Sequence, residues 1–305
     1  MKSLSIVVPA YNEAGCIDAF VAAVEALKLD RPTEIIFVDD GSTDETLERL
    51  RAAAARDARV RYVSFSRNFG KEAALFAGLR HATGDCVVTM DADLQHDPAL
   101  LPQMMAAIEQ EGYDSAAACR AARTGEPAFR SVFSHLFCSI MNALSDVKLK
   151  DGAMDYRMMT RRVVEAVLSL REANRFTKGI YEWVGFKTKW IETTTPPRKA
   201  GRSKWSFLSL LIYSWHGLLA FSTVPLRVAS VLGFVTTLAA FAYMACVFGE
   251  WAIFGNSVSG WSTIVCLILL LGGMQLFVIG ILGLYLAGIF RETKGRPVYV
   301  VKEEK

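Results

Sequence analysis

Val88-Thr89-Met90-Asp91-Ala92-Asp93-Leu94-Gln95 is the stretch on which the reading of this chain turns. Val87 to Met90 are apolar or β-branched and predict a buried strand. Two carboxylates follow at its C-terminal end, one residue apart. Residues i and i+2 of a strand share a face, so Asp91 and Asp93 can both reach one cation. Open α/β sheets bind ligands at the carboxyl ends of their strands. Hard oxygen donors with room left for phosphate suit Mg²⁺ or Mn²⁺. A lone acidic pair of this kind is common in loops, so its weight comes from its surroundings.

Upstream, short apolar runs alternate with amphipathic ones. Strands are expected at Ser3–Val8, Glu34–Val38, Val60–Ser64 and Cys86–Met90, and helices at Ala14–Leu27, Thr43–Ala55 and Lys71–His81. That alternation predicts a parallel, doubly wound sheet. Pro9-Ala10-Tyr11-Asn12-Glu13 follows the first strand, where the Tyr11 ring could stack on a base. Asp39-Asp40-Gly41-Ser42 follows the second, where a carboxylate can accept from a ribose hydroxyl or a base N–H. The plainer alternative there is a helix start capped by Ser42 or Thr43. From Arg120 to Lys204 the pattern is less regular, with helices expected near Phe133–Leu144 and Arg161–Leu170. This part is read as completing the acceptor side.

The chain has 305 residues, 52% of them hydrophobic, and a mean hydropathy of +0.27. The apolar excess is concentrated in the last third. Val228–Phe248 and Ile264–Phe290 carry no Lys or Arg and are each longer than the ~18 residues that favour a membrane span over a core helix. Gly272, Gly273, Gly280, Gly283 and Gly288 suit close helix packing in lipid. Gly249–Thr263, between the spans, has no Lys or Arg, whereas Arg227, Arg291, Lys294 and Arg296 flank them. Both termini are therefore expected in the cytoplasm, with Trp251 and Trp261 at interfaces. Trp205–Phe221 has apolar residues at helical spacing and predicts a helix lying in the membrane interface. Leu4–Val8 is too short for a signal peptide and Pro9 ends it. The six Cys have no paired spacing and are expected as reduced thiols. A net charge of +3 gives nucleic-acid binding no support.

VPAYNE, VDDGSTDET, SRNFGKEAALFAGL and DADLQHDP stand in an order that resembles the family 2 glycosyltransferases. The likeness is greatest to the polyprenyl-phosphate group, which includes dolichyl-phosphate mannose synthases and bacterial bactoprenol glucosyltransferases. It extends through AGRSKW, FSTVPLR and the two spans. The resemblance implies a mixed-sheet α/β catalytic domain of GT-A type over 1–204. An interfacial amphipathic helix (205–224), a two-helix transmembrane hairpin (225–290) and a cytoplasmic tail (291–305) follow. It implies that Pro9, Tyr11, Glu13 and Asp40 hold the nucleotide. Asp91, Ala92 and Asp93 would lie at the donor phosphates, with Asp91, Asp93 and Gln95 as metal ligands for Mg²⁺ or Mn²⁺. Arg120 and Arg130 match arginines near the diphosphate and the acceptor phosphate. Arg198 and Lys204 match a basic pair that closes over the donor. Asp155 matches a residue often assigned as catalytic base, although Met154 stands where the family usually has Gly.

The chemistry implied is transfer of one hexose, with inversion, from a nucleotide sugar to undecaprenyl phosphate at the cytoplasmic face of a bacterial inner membrane. UDP-glucose is the first choice of donor by resemblance. Modified arabinose, galactose, GlcNAc and mannose are alternatives, and GDP is the alternative to UDP. A divalent ion would neutralise charge on the departing diphosphate. The acceptor phosphate is already ionised, so Asp155 is expected to act by positioning or electrostatics, with Arg130 gripping that phosphate. The partners implied are the donor, the lipid acceptor, the membrane and further copies of the chain, a tetramer being one such form. Gln275, inside the second span, could bond a neighbouring helix. A processive polysaccharide synthase is disfavoured because no Gln begins a QxxRW motif. A non-catalytic scaffold or nucleotide-sugar sensor is the rival from another class, and it has no need of an acidic pair.

Overall fold

The computed structural model describes residues 2–120, 138–139, 141–145, 147–170, 172, 175–193, 221–254 and 260–305. These form two units. One comprises Met1–Ala220 with Arg296–Lys305, and the other is Phe221–Gly295.

The first unit is built on an eight-stranded sheet. Its strands are β1 (Leu4–Ala10), β2 (Thr33–Asp39), β3 (Val60–Phe65), β4 (Cys86–Thr89), β5 (Ser115–Arg120), β6 (Ala153–Thr160), β7 (Thr188–Thr193) and β8 (Val301–Glu304). Their order is β7-β5-β6-β4-β1-β2-β3-β8. β4, β1, β2 and β3 run parallel, as the βα alternation requires. β6 is antiparallel to β4 and β5, and β8 is antiparallel to β3, so the sheet is mixed. Helices α1 (Ile17–Ala26), α2 (Thr46–Arg56), α3 (Lys71–His81), α4 (Leu101–Glu109), α5 (Arg161–Ser169) and α6 (Thr177–Trp183) complete it.

β1 is buried on both faces, as a central strand of a doubly wound sheet must be. Leu4, Ile6 and Val8 face a core that includes Phe20, Phe37, Leu50, Met104 and Tyr156. Phe20 and Phe37 meet edge to face at 5.7 Å. On the other side α3 offers Ala73, Ala74 and Ala77. A Cβ at Gly78 would stand 2.2 Å from Val7 Cγ1, so only glycine lets this helix lie so close to β1.

The structure moves some expected boundaries. α1 begins at Ile17, because a turn closed by Cys16 N donating to Glu13 O (2.9 Å) occupies the preceding residues. Neither Ser42 nor Thr43 caps α2. Asp44 Oδ1 accepts from Thr46 N at 3.0 Å instead, while Ser42 Oγ accepts from Asn12 N at 2.9 Å. The last residues of the segment read as a tail form β8. Among the described residues Cys16, Cys86, Cys119, Cys138 and Cys246 are free thiols. The interfacial helix expected at Trp205–Phe221 lies outside the described residues but for Phe221, as does half of Phe133–Leu144.

The second unit consists of α7 (Val224–Phe254) and α8 (Trp261–Thr293). Both are long and apolar enough to cross a membrane. Their large side chains are bare, Phe248 at 66% and Leu276 at 72% exposure. Several polar side chains pair within the unit. Thr237 Oγ1 donates to Gly233 O (2.8 Å) and Tyr285 Oη to Ser222 O (2.7 Å). Such internal pairing is what a hydrocarbon surround demands.

Candidate active site

The C-terminal ends of β1, β2 and β4, with the N-terminal end of the antiparallel β6, carry the chemistry-bearing residues. Antiparallel pairing sets Thr89 opposite Arg157. Continued by two residues, the same register sets Asp91 opposite Asp155. Thr89 Oγ1 secures the join by donating to Asp155 O at 2.6 Å. Two like charges side by side would repel, and the structure places Lys71 between them. Its Nζ lies 2.8 Å from Asp91 Oδ1 and 2.8 Å from Asp155 Oδ2. Lys178 Nζ, in the first turn of α6, stands 3.6 Å from Asp155 Oδ1 and donates to Ala153 O at 3.1 Å.

These contacts fix the charge states. Burial works against the carboxylate of Asp155, but Lys178 and Lys71 hold it well below the usual carboxylate range. Burial likewise opposes ionisation of Asp91, and Lys71 outweighs it. Burial disfavours the Lys71 ammonium, yet Asp155 and Asp91 raise its pKa above the ordinary lysine value. All three are charged at neutral pH.

Leu94 adopts a left-handed φ of 57°. The chain turns there, with Gln95 N donating to Asp93 Oδ1 at 3.1 Å. His96 is buried and folds back, and its Nδ1 accepts from Asp91 N at 3.0 Å. The ring stacks on Tyr156 with centroids 5.1 Å apart. Burial pushes the His96 pKa down, so the ring stays neutral and can accept that bond. Tyr156 Oη donates to Asp97 O at 3.0 Å, which ties β6 to the far end of the turn. Asp91, Asp93 and Gln95 offer carboxylate and amide oxygens, the donor chemistry that Mg²⁺ and Mn²⁺ prefer. The ammonium already seated on Asp91 shows that this place takes positive charge. Among the described residues no three His, Cys, Asp or Glu side chains converge as a closed cage. A metal here would take its remaining ligands from outside this group of side chains.

On the other flank, the turns after β1 and β2 are laced together. Glu13 N donates to Thr46 Oγ1 (2.9 Å) and Thr43 N to Asn12 Oδ1 (2.8 Å). Asp39 is consumed structurally, accepting from Ser42 N (3.0 Å) and Ser64 Oγ (2.7 Å). Asp40 is buried, and its carboxylate accepts from Phe69 N (2.6 Å) and Gly70 N (2.9 Å). Burial raises its pKa despite those bonds. Asp40 thus clamps the turn that launches α3 and Lys71. Gly41 has a φ of +66°, and a Cβ there would stand 2.3 Å from Arg67 C, so glycine is required where this turn packs against the 66–70 segment.

The structure therefore brings together Asp91, Ala92, Asp93, Gln95 and Asp155, with the Pro9–Glu13 and Asp40 turns beside them on neighbouring strands. Arg120 ends β5, its N donating to Gly152 O at 3.0 Å. Met154 lies within β6 and packs against the core, so no turn glycine is needed at that point. Arg157 is buried, paired to Glu182 at 2.6 Å and flanked by the rings of Tyr181 and Trp190. Arg130, Arg198 and Lys204 lie outside the described residues. Lys71, His96 and Lys178 were missed from the sequence. For Lys71 a signal existed, since a cation in the first turn of a helix opposes the macrodipole and needs another reason to be there.

Residues 5–168 match the family model for glycosyl transferase family 2. The putative glycosyltransferase CsbB of Bacillus subtilis is 41% identical over 302 residues, 98% of this chain and 91% of that protein. The bactoprenol glucosyl transferase of Shigella phage SfV is 39% identical over 304 residues, 99% of each chain. The Escherichia coli K12 prophage bactoprenol glucosyl transferase homolog is 39% identical over 305 residues, again 99% of each. Among solved structures, the mannosyltransferase PcManGT from Pyrobaculum calidifontis, in complex with GDP-Man and Mn²⁺, superposes with a TM-score of 0.50. That match covers 97% of this chain and 88% of PcManGT at 17% identity, a likeness of fold.

Proposed function

The chain belongs to glycosyl transferase family 2, and from that premise we propose that this glycosyltransferase moves a single glucose from UDP-glucose to undecaprenyl phosphate, inverting the anomeric centre. The observation that carries this reading is the 39% identity, over 99% of both chains, to a bactoprenol glucosyl transferase. The charged cluster of Asp91, Asp155 and Lys71 at the strand ends supplies a place for the chemistry.

In this mechanism an oxygen of the acceptor phosphate attacks the anomeric carbon. The bond from that carbon to the donor's diphosphate breaks, its electron pair leaves with the nucleoside diphosphate, and an α-linked donor gives a β-linked product. The nucleophile is already anionic, so no side chain has to remove a proton. Asp155, ionised between Lys71 and Lys178, orients those two ammonium groups and stabilises positive charge developing on the sugar. Lys71 offsets the repulsion between Asp91 and Asp155. Arg120 and Arg130 are assigned to the donor and acceptor phosphates, and Arg198 and Lys204 to closure over the donor. Pro9, Tyr11, Glu13 and Asp40 border the nucleotide, Asp40 by holding the turn beside it. Asp91, Asp93 and Gln95 would hold Mg²⁺ or Mn²⁺, which when bound neutralises charge on the diphosphate leaving group.

We place the catalytic unit and both termini on the cytoplasmic face, with α7 and α8 as the membrane hairpin. Two observations support this. The segment between the helices has no Lys or Arg, and β8, which follows α8, pairs with β3 of the sheet. Anchoring would confine the search for a lipid acceptor to the membrane surface and so raise its effective concentration.

The deciding experiment offers detergent-purified protein undecaprenyl phosphate and a panel of nucleotide sugars, with Mg²⁺, Mn²⁺ or EDTA. A β-glucosyl lipid formed from UDP-glucose alone and abolished by EDTA is the expected result. Transfer from a different donor replaces the sugar. No transfer and no nucleotide binding by folded protein overturns the assignment in favour of a scaffold.

A further inference from the structure

β8 makes more contacts than an edge strand needs. Lys305 N and Tyr62 O pair at 2.9 Å, and Arg51 grips Glu303 through two bonds of 2.8 and 2.6 Å. The segment before it reaches the start of the 66–70 turn. Ser66 N donates to Val300 O at 3.0 Å. The Tyr299 ring stacks on Phe65 with centroids 4.9 Å apart and 17° between planes, and it meets Phe76 at 6.4 Å. Phe65 in turn meets Phe69 edge to face at 5.8 Å, and the Arg67 guanidinium lies over the Phe69 ring at 4.2 Å. Phe69 N and Gly70 N are the donors to Asp40, and the next residue is Lys71.

We propose that Tyr299 and Val300 are positioning residues for the donor side of the active site, acting through Phe65, Ser66 and Phe69 to set the turn that holds Asp40 and delivers Lys71. The inference rests on the donor-side assignment of the Asp40 turn made above. Its physical basis is that the turn has few supports of its own. Ser66, Arg67 and Asn68 are exposed, and the buried residue directly before them is Phe65, the last of β3. The backbone bond from Ser66 and the ring stack on Phe65 supply what a solvent-facing turn lacks. Stacked aromatic rings resist sliding as well as separation, so they fix direction, and Lys71 has to reach two carboxylates at once. A small displacement at its origin is therefore felt at both.

The test uses the full-length protein in detergent. Tyr299→Leu keeps apolar volume and removes the stack. The Michaelis constant for UDP-glucose and the dissociation constant for UDP are expected to rise about tenfold and kcat to fall, with the KM for undecaprenyl phosphate within about twofold. Tyr299→Phe keeps the ring and is expected to match the wild type. Arg51→Gln weakens β8 away from the aromatic stack and is expected to leave donor KM unchanged. Phe69→Leu leaves β8 intact and should reproduce the donor defect, and it serves if Tyr299→Leu fails to fold. Normal donor KM in both Leu variants overturns the proposal. So does a defect shared equally by donor and acceptor, or one reproduced by Arg51→Gln. If wild-type protein binds no UDP, the donor-site assignment fails. The linkage itself is then read by hydrogen exchange at the amides of Phe69 and Gly70, where Tyr299→Leu is expected to accelerate exchange and unchanged rates overturn it.

Discussion

Lys71 Nζ stands 2.8 Å from Asp155 Oδ2, a bond between the first residue of α3 and the third residue of β6 across 84 positions of sequence. It also reaches Asp91, two residues past the end of β4, so one ammonium organises two carboxylates where adjacent antiparallel strands meet. Removing it leaves those carboxylates facing each other with only Lys178, beside Asp155, as counter-charge. Lys71→Met is expected to lower kcat by about 10²-fold or more. Lys71→Arg should recover only part of this, because a planar fork does not reproduce a point charge. Steady-state kinetics with far-UV circular dichroism as a folding control checks both.

Asp155 remains ionised far below neutral pH, so it has no proton to exchange across the working range. Asp155→Asn is expected to slow turnover by about 10²-fold. It should leave the shape of the pH–rate profile between about pH 6 and 9 as it is in the wild type. Loss of the acidic limb in the variant alone would give Asp155 the role of base.

A bound divalent ion would draw on Asp93 and Gln95. EDTA is expected to abolish transfer and added Mg²⁺ or Mn²⁺ to restore it. Asp93→Asn should raise the metal concentration needed for half-maximal rate by about tenfold or more. Titration of the apo protein with each ion, with and without UDP, reads this directly. A rate indifferent to EDTA would remove the metal from the mechanism.

The segment from β1 to β4 was legible because period-2 and period-3.6 patterns alternate cleanly there, and the positions of Asp91 and Asp93 followed from strand polarity alone. β5, β6 and β7 were not. β5 contains Ala116-Ala117-Ala118 and β6 contains Met154, Met158 and Met159, residues without strand preference. They are strands because neighbouring strands pair with them. β8 reads Val-Lys-Glu-Glu and becomes a strand only against β3. At the site, acidic residues announced themselves by motif. Lys71 was quoted within a motif and given no task, because its two partners lie 20 and 84 positions away. Asp40 was read as open to a ligand, and only the folded 66–70 turn reveals that its carboxylate holds backbone.

Glu34 gives a pH dependence away from the site. It accepts from Ser5 Oγ (2.6 Å), Thr83 N (2.7 Å), Thr83 Oγ1 (2.8 Å) and Arg61 (2.9 Å). Burial opposes its charge, yet these donors keep its pKa below the ordinary value. The folded pKa lies under the unfolded one of about 4.3, so the stabilisation is whole above that pH and is lost as pH falls through the folded pKa. Glu34→Gln is expected to cost about 1–2 kcal/mol at pH 7. The deficit should shrink below about pH 4, as read from denaturation midpoints at both pH values.

Gly41→Ala meets the Arg67 carbonyl carbon at 2.3 Å and carries a side chain at a φ of +66°. It is expected to push the 66–70 turn outward, raising donor KM by about tenfold. The melting temperature should fall by several degrees. Unchanged donor KM at lowered stability would detach this turn from nucleotide binding.

The pairing of β8 with β3 sets an order on biogenesis. A ribosome releases β1 to β7 and then both long apolar helices before it makes Val301–Glu304. Until then the outer edge of β3 is unpaired, an open template for other strands, and the aromatic stack at the 66–70 turn lacks Tyr299. The sheet therefore closes only after the helices have been synthesised, so a nascent chain stalled at either helix carries an unfinished enzyme. Completion of the fold thereby becomes a report that the hydrophobic segments have already emerged.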